Sequence, residues 1–418
     1  MATALSMGSP LARAPALRRS LARIERRRRA LALALTLPLL VFLLLVIVVP
    51  LGALLTRAVE NPEVAGSLSR TSAALAGWDG QSAPPARAYA AVVADLSVFK
   101  ENAPVGAVAR RLNSDVPGAR SLIMSTFRAL PLGDSLTPEQ TRDQMLALDP
   151  RWGELAYWRA IARNASRWTP DYLLASVDLR RGADGSLQAV PPDQRVYAPI
   201  LLRTFEISAV VTFWCLLLGY PLAYWLSTLP PRKANLMLIM VLVPFWTSIL
   251  VRVAAWIVLL QREGLINKSL LGLGVVAEPV PLLFNRVGVV IAMVHILLPF
   301  MILPLYSVMK SVPPTYVRAA VSLGSSPAAA FLRVYVPQTY AGVGAGALLV
   351  FILSIGYYVT PALLGGPNDQ MLSYYIARYT NVEVNWGMAC AMGSVLLAAT
   401  LALYAGYRRV ASKELSLG

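Results

Sequence analysis

The sequence is poor in charged residues and in the side chains that most often carry out chemistry. Only 14% of its 418 residues are charged, and it has two cysteines and one histidine. Soluble domains usually carry about 25% charged residues, so an ordinary soluble fold is excluded. Cys215 and Cys390 both lie in apolar runs, which implies neither a disulfide framework nor a metal site. The chain has no GxxxxGK[ST] phosphate loop, and we expect no catalytic residue, metal or cofactor of its own.

What the sequence does have is long uncharged runs, and 56% of its residues are hydrophobic. A helix needs about 20 apolar residues to cross a bilayer. We therefore predict an all-α polytopic membrane protein with six transmembrane helices, the first of which is a retained signal anchor. The predicted spans are 30–56, 207–231, 234–251 with a continuation to 260, 287–309, the stretch after Arg333, and 384–407.

Basic residues flank alternate spans. The tail before residue 30 holds eight arginines and one glutamate, and most of the net charge of +16 lies in it and in three later segments. The positive-inside rule places these segments, and both termini, on the cytoplasmic side of a bacterial inner membrane. Topology thus accounts for the basic charge, and no nucleic-acid partner is expected. The later basic residues are Arg232, Lys233, Lys310, Arg318, Arg333, Arg408, Arg409 and Lys413.

Residues 57–197 have a more polar composition and are predicted to form an external, periplasmic and mainly helical domain. It follows the basic tail (1–29) and the first span (30–56). It precedes a membrane core that holds the second to sixth spans (198–410), and a short tail (411–418) ends the chain. Helices are predicted at 86–100 from helical spacing, at a capping box beginning at Thr137, and after Asp149 and Thr169. Six aromatics are predicted to form the core of this domain, or alternatively to dock an external partner: Trp78, Trp152, Tyr157, Trp158, Trp168 and Tyr172.

A short cytoplasmic loop at 311–338 has the signals of two helices in a bent pair. The fourth span is predicted to end at Pro313, with Thr315 capping a helix over 316–323. Gly324 ends that helix in the left-handed conformation. A second helix begins at Ser326, and Pro337 is expected to break it. Such a bent pair makes a rigid knob that can transmit force from a soluble partner.

This loop resembles the coupling loop of ABC importer permeases. Ala319, Ala320, Gly324, Val334 and Pro337 stand at the matching positions, whereas Arg318 replaces the family's glutamate and Val336 its leucine. The segments 217–225, 243–248, 296–306 and 364–366 look like the spermidine/putrescine-type permease branch. The residues predicted to engage an ATPase are Tyr316, Arg318, Ala319, Ala320, Leu323, Gly324, Ser325, Pro327, Phe331 and Pro337.

The resemblance implies a type I importer architecture. Two permease subunits, in this branch usually different, would pack side by side. An ABC ATPase dimer would bind ATP and magnesium and engage the coupling loops. An external solute-binding protein would deliver the cargo.

Polar and aromatic side chains at membrane depth are candidates for a translocation pathway because such groups are costly in hydrocarbon. Glu206 is expected to pair with Arg203 one turn earlier, or else to attract cations at a cavity mouth. Arg252 is expected to line the pathway, to pair with the second permease or to snorkel outward. The full set is Glu206, Trp246, Arg252, Trp256, His295, Tyr357 and Tyr358.

His295 is expected to bond a neighbouring helix, or else to contact cargo or a proton. The aromatic members either form cation–π surfaces for an amine or pack and anchor helices. Pro244, Pro299 and Pro304 are predicted to kink the spans that line the cavity.

The resemblance implies a small cationic amine such as a polyamine as the cargo, although few acids outside the inserted domain are available to attract a cation. The alternatives are another small solute (an opine, an amino-acid derivative or a metal chelate) or an ion-coupled secondary transporter, which would need an internal repeat of broken helices. A membrane sensor would need a cytoplasmic output domain. The acids outside the insert are Glu206, Glu263, Glu278, Asp369 and Glu383.

Overall fold

The computed structural model describes residues 14–99, 101–133, 136–182 and 186–415. Helices dominate, and the described residues contain a single two-stranded sheet, which confirms the all-α class. The first part of the predicted basic tail and the last three residues lie outside the described residues. The chain divides into two compact units, one ending at Thr56 and the other beginning at Arg57.

The first unit contains one helical run that includes the first predicted span. Its segments are α1 (Ala14–Leu43), a π-helical turn (Leu44–Val48) and α2 (Val49–Arg57). Leu31–Arg57 is long and apolar enough to cross a membrane, within one residue of the span predicted at 30–56.

The second unit begins with the predicted insert, which consists of short helices and one β-hairpin. The capping box is confirmed, because Thr137 Oγ1 accepts from the Gln140 amide at 3.3 Å and Gln140 Oε1 accepts from the Thr137 amide at 2.9 Å. The helix predicted at 86–100 ends at Ser97. The elements are α3 (Pro62–Ala65), α4 (Ser69–Ala74), α5 (Ala86–Ser97), α6 (Asn102–Asp115), α7 (Ala119–Arg128), α8 (Pro138–Leu148), α9 (Leu155–Arg163), α10 (Asp171–Ala175), β1 (Leu179–Arg181) and β2 (Leu187–Ala189), with 3₁₀ turns at Pro150–Gly153 and Pro192–Gln194.

Two tryptophans form the centre of the insert's core. The Trp158 indole N–H donates to the Trp152 carbonyl at 2.7 Å, and the Trp152 N–H donates to Thr126 Oγ1 at 2.9 Å. Both rings are fully buried with their polar ends satisfied. Trp168 is 55% exposed, so its assignment to the core is wrong. It lies in the segment after α9, where its backbone forms an isolated β-bridge with Glu60 and its side chain stays at the surface.

The remaining helices form the membrane core around three that pack on one another: α11, α15 and α19. Close approach depends on small residues, since a Cβ on Gly346 would lie 2.8 Å from Met301 Sδ. The helices are α11 (Tyr197–Thr228), α12 (Pro231–Leu242), α13 (Ile249–Leu260), α14 (Leu265–Gly272), α15 (Arg286–Ser311), α16 (Thr315–Ser322), α17 (Pro327–Ala330), α18 (Val336–Gln338), α19 (Tyr340–Ile355), α20 (Val359–Leu364), α21 (Leu372–Asn381) and α22 (Trp386–Leu415).

The third predicted span is not one straight helix. A 3₁₀ turn at Val243–Trp246 follows α12, and the chain then bends by 93° into Ile249–Gly272. Pro244 has no N–H to continue the helical ladder, and Thr247 takes an extended conformation. Pro299 and Pro304, in contrast, lie inside the unbroken helix α15.

Four helices among the described residues are long and apolar enough to cross a membrane, and the number reaches six if each of two bent pairs is one span. The second pair joins Pro327–Gln338 to Tyr340–Ile355 at 60°. Six spans therefore remain a prediction. The fourth predicted span, 287–309, matches α15 closely, whereas α11 begins ten residues before the predicted start of the second span.

The insert is tied directly to the core. The carboxylate of Asp178 accepts hydrogen bonds from the amides of Val196, Tyr197 and Ala198 at 2.7–3.1 Å, which satisfies free donors at the start of α11. The ring of Tyr172 lies against Gly387 so closely that a Cβ there would approach it to 2.4 Å. The insert and the core accordingly belong to one compact unit, which begins at Arg57.

Candidate functional site

The first helix of the predicted coupling loop, residues 311–338, is α16. Gly324 has φ +97°, the left-handed conformation predicted for it. Its amide donates to the Val321 carbonyl at 3.0 Å, and the Ser325 amide donates to Ala320 at 3.1 Å. These two bonds form a Schellman motif, which closes the helix and fixes the direction of the chain beyond it. Thr315 is the first helical residue and does not cap the helix as predicted, because Pro314 occupies the cap position.

The second half of the loop is longer than predicted. Ser326 Oγ caps α17 by accepting from the Ala329 amide at 3.3 Å, but Pro337 does not break the helix. A π-helical turn at Phe331–Tyr335 precedes it, and the helical path runs on to Gln338. Because the π turn widens the helix, the proline ring is accommodated, and the bend comes after Gln338.

Large apolar side chains on this loop are exposed. Leu323 is 89% exposed and Tyr316 is 52% exposed. An exposed apolar patch of this kind marks a contact surface. Of the other predicted coupling residues, Arg318, Ala319, Ser325, Pro327 and Pro337 are exposed, and Ala320 and Phe331 are half-buried.

The loop packs on α11, and the helix that precedes the loop is bonded to the same end of α11. The ring of Tyr224 on α11 lies 5.0 Å from that of Phe331 and 5.3 Å from that of Tyr335, both in edge-on geometry. Lys310, near the end of α15, donates to the carbonyls of Ser227 and Leu229 at the end of α11 at 3.1 and 3.2 Å. The loop therefore contacts α11 directly, and α11 is joined to α15 beside it.

Two of the predicted pathway residues are hydrogen-bonded to each other in the membrane core. The Trp256 indole N–H donates to His295 Nδ1 at 3.1 Å, which joins α13 to α15, and His295 is otherwise exposed. The bond to a neighbouring helix predicted for His295 is thus present, and it leaves Nε2 to carry the proton of a neutral ring. Arg252 lies one turn before Trp256 on α13, and Tyr357 lies just before α20, which packs on α13. We call Arg252, Trp256, His295 and Tyr357 the membrane cluster.

The guanidinium of Arg252 lacks hydrogen-bond acceptors for two of its nitrogens among the described residues. It lies 5.6 Å from the centre of the Phe245 ring, and its Nε and Nη1 are buried without a hydrogen-bond partner in the part of the chain that the structure describes. A buried cation without an acceptor is costly. The geometry therefore calls for an acceptor from outside this chain.

The other predicted pathway residues do not join the cluster. Trp246 is 80% exposed and Tyr358 is also exposed. Glu206 does not pair with Arg203 as predicted; its Oε1 accepts from Arg286 Nη1 at 2.8 Å, whereas Arg203 donates to the Gln370 carbonyl. Arg286, the first residue of α15, reaches across to Glu206, while the guanidinium of Arg203 is already engaged by the Gln370 carbonyl.

Arg286 also bonds Asp369 at 3.4 Å and so connects α11, α15 and the turn before α21. Sequence reasoning missed this residue. The signal available was an arginine placed immediately before an uncharged run, with Glu206 at the outer end of another run.

Comparison with known proteins identifies relatives of the core. The family model described as binding-protein-dependent transport system inner membrane component matches residues 211–414. The spermidine/putrescine transport system permease protein PotB of Escherichia coli K12 is 33% identical over 226 residues, which cover 53% of this chain and 82% of that protein. The molybdenum transport system permease protein ModB of Mycobacterium bovis is 27% identical, over 50% of this chain and 78% of ModB.

Solved structures add a distant likeness. A chain of a bacterial alginate ABC transporter, in complex with an alginate pentasaccharide-bound periplasmic protein, is 15% identical with a TM-score of 0.44. The match covers 53% of this chain and 80% of that chain.

Proposed function

The chain belongs to the binding-protein-dependent transport system inner membrane components, the permease subunits of ABC importers, and on this premise we propose that it forms half of an import pathway for a polyamine-type cation. It is a multi-pass inner-membrane transport subunit and not an enzyme. The observation that carries the cargo proposal is the 33% identity to spermidine/putrescine permeases over about four fifths of their length.

The membrane cluster supports an amine cargo through its aromatic faces. Trp256 and Tyr357 can hold an ammonium group by cation–π attraction, which strengthens when water is excluded. The bond from Trp256 to His295 fixes the indole orientation, so that its face is preorganised for a ligand.

The acidic groups that complete an amine site would come from other subunits. Glu206 and Asp369 are paired with Arg286, and Glu383 is paired with Arg378 at 2.9 Å. These three carboxylates are therefore engaged in ion pairs with two arginines of the chain. The proposal therefore includes a second, different permease whose carboxylates face the membrane cluster, and an external solute-binding protein that concentrates the cation.

Coupling to ATP follows from the anchored loop. In the proposed complex an ATPase dimer binds ATP and magnesium and grips the exposed face around Tyr316 and Leu323. Its closure displaces the loop. Tyr224 passes the displacement to α11, and the Lys310 bonds link the end of α11 to α15, which carries His295. The 93° bend before Ile249 gives α13 a hinge on which the cluster can open or close.

Uptake by the assembled transporter tests the cargo. With the second permease, ATPase and solute-binding protein in proteoliposomes, we expect ATP-dependent uptake of radiolabelled spermidine that unlabelled putrescine inhibits. A transporter whose ATPase lacks its phosphate-loop lysine serves as the control and should be inactive. Failure to take up spermidine or putrescine, while another solute is imported, contradicts the polyamine assignment.

A second candidate cargo is a solute that carries a carboxylate, such as an opine or another amino-acid derivative. The two unpaired nitrogens of Arg252 favour it, because a guanidinium N–H forms a strong charge-assisted hydrogen bond with a carboxylate. Competition distinguishes the two: with this cargo, opines and not polyamines block uptake. Arg252→Lys, which keeps the charge but loses the planar guanidinium, then weakens the competitor about tenfold, equivalent to 1.4 kcal/mol.

A further inference from the structure

A large cavity lies where the insert meets the core, away from the membrane cluster. It has a volume of about 650 Å³, within the range of small-ligand sites. The insert contributes walls from α6, α9, α10 and β1, and the core contributes Tyr197, Tyr379, Asn385 and Met388. These core residues lie at the ends of α11, α21 and α22 that face the insert.

The cavity is strongly basic. Its lining includes four arginines, Arg111, Arg163, Arg180 and Arg181, but only two aspartates. Both aspartates are committed to Arg111, which bonds Asp115 at 2.7 Å and Asp171 at 3.2 Å.

The other arginines have little neutralisation within the chain. Arg181 lies 3.9 Å from Asp171, and no carboxylate of the described residues forms an ion pair with Arg163 or Arg180. The lining therefore carries a net positive charge that a bound anion would balance.

The innermost arginine has a free donor. The side chain of Arg111 is 4% exposed, and its Nε is buried without a hydrogen-bond partner among the described residues. Its guanidinium lies 4.9 Å from the centre of the Tyr172 ring. Burial raises the pKa of Tyr172 to about 12, although Arg111 opposes the shift, so the ring stays neutral and does not supply the missing negative charge.

The walls are held in place by tight contacts. Tyr172 packs on the backbone at Gly387, and the hydroxyls of Tyr197 and Tyr379 share a hydrogen bond. A preformed cavity binds a ligand without a large ordering cost.

We propose that this cavity binds an oxyanion, a carboxylate or phosphate group, that bridges the insert and the outer ends of the core helices. Arg180 and Arg181 provide the charge, Arg111 provides a buried donor, and Tyr172 and Met388 contact the apolar part of the molecule. The oxyanion belongs either to a small soluble acid or to the headgroup of an anionic lipid, since the cavity opens beside membrane helices. The proposal does not depend on the identity of the transported cargo.

Thermal unfolding of the full chain in nanodiscs tests the site. One arm uses zwitterionic lipid with sodium citrate or inorganic phosphate titrated in, and the second replaces part of the lipid with phosphatidylglycerol. We expect the melting temperature to rise in at least one arm, because a ligand of the folded state stabilises it. A rise in the first arm alone identifies a soluble acid, and a rise in the second alone identifies a lipid.

The variant Arg180→Gln with Arg181→Gln is expected to weaken the apparent affinity about tenfold or more, since charge-assisted hydrogen bonds are lost. The matched control is Arg110→Gln with Arg120→Gln, two exposed arginines of the insert outside the cavity, which remove the same charge. If neither arm stabilises the wild type, the cavity does not bind an oxyanion. If both double variants lower the affinity equally, the anion binds through the overall positive charge of the insert and not in this cavity.

Discussion

At the scale of single residues, the close packing of the membrane helices depends on glycines at their contacts. Gly346 on α19 faces Met301 on α15, and a Cβ there would lie 2.8 Å from Met301 Sδ and 3.2 Å from its carbonyl oxygen. The sequence shows a glycine in an apolar run, but which glycine contacts a neighbouring helix depends on the packing of α15 and α19. A pattern of one chain cannot reveal it.

Gly346→Ala is expected to destabilise the chain by about 1–3 kcal/mol, because the new methyl group overlaps backbone and side chain of a helix that cannot move freely. Thermal unfolding in detergent measures this. The matched control is Gly406→Ala, where nothing lies within 4 Å of the added carbon, and it should leave stability unchanged or slightly raised. Equal melting temperatures for the two variants would show that α15 and α19 do not meet at Gly346.

At the scale of helices, local signals predicted the elements better than the bends between them. The capping box at Thr137 and the glycine turn at Gly324 both form as predicted, because their hydrogen bonds involve only residues close in sequence. The kink predicted at Pro244 is present, but its size of 93° was not predicted, and the helix runs through Pro337, where a break was predicted. Hydropathy averages over such breaks, and a proline can end, kink or continue a helix according to what packs around it.

The turn at Gly324 is predicted to be essential for coupling. Gly324→Ala forces a Cβ into the left-handed conformation at a cost of about 1 kcal/mol, which loosens the bend between α16 and α17. We expect ATP hydrolysis by the assembled transporter to continue while uptake per ATP falls several-fold. Both rates, measured in the same proteoliposomes, test this.

Gly274 provides a matched control for that variant. It has φ +68°, ends α14 with the same pair of Schellman hydrogen bonds and has free space around it, as Gly324 has. Gly274→Ala therefore costs a similar amount of backbone strain outside the coupling loop. Wild-type coupling in Gly324→Ala, or equal uncoupling in both variants, would show that the bend itself transmits no force.

At the scale of the whole molecule, the sequence predicted which residues could matter but only part of how they assemble. Charge placement and hydropathy identified the core, and polar and aromatic side chains at membrane depth nominated Arg252, Trp256 and His295, of which Trp256 and His295 are hydrogen-bonded. The bridge made by Arg286 and the basic cavity beneath the insert were missed, because each joins segments that are more than fifty residues apart. Such long-range pairs leave no periodic signal in a single sequence.

The membrane orientation is a prediction from the basic loops, and it can be tested directly. With Cys215 and Cys390 replaced by alanine, Gln81→Cys places an exposed thiol on the insert and Ser325→Cys places one on the coupling loop. Because basic segments stay on the cytoplasmic side, a membrane-impermeant maleimide should label Gln81→Cys in intact spheroplasts and Ser325→Cys only after permeabilisation. Detergent-solubilised samples of both variants control for intrinsic reactivity. Labelling of Ser325→Cys in intact spheroplasts would place the coupling loop outside the cell, where no ATPase could reach it.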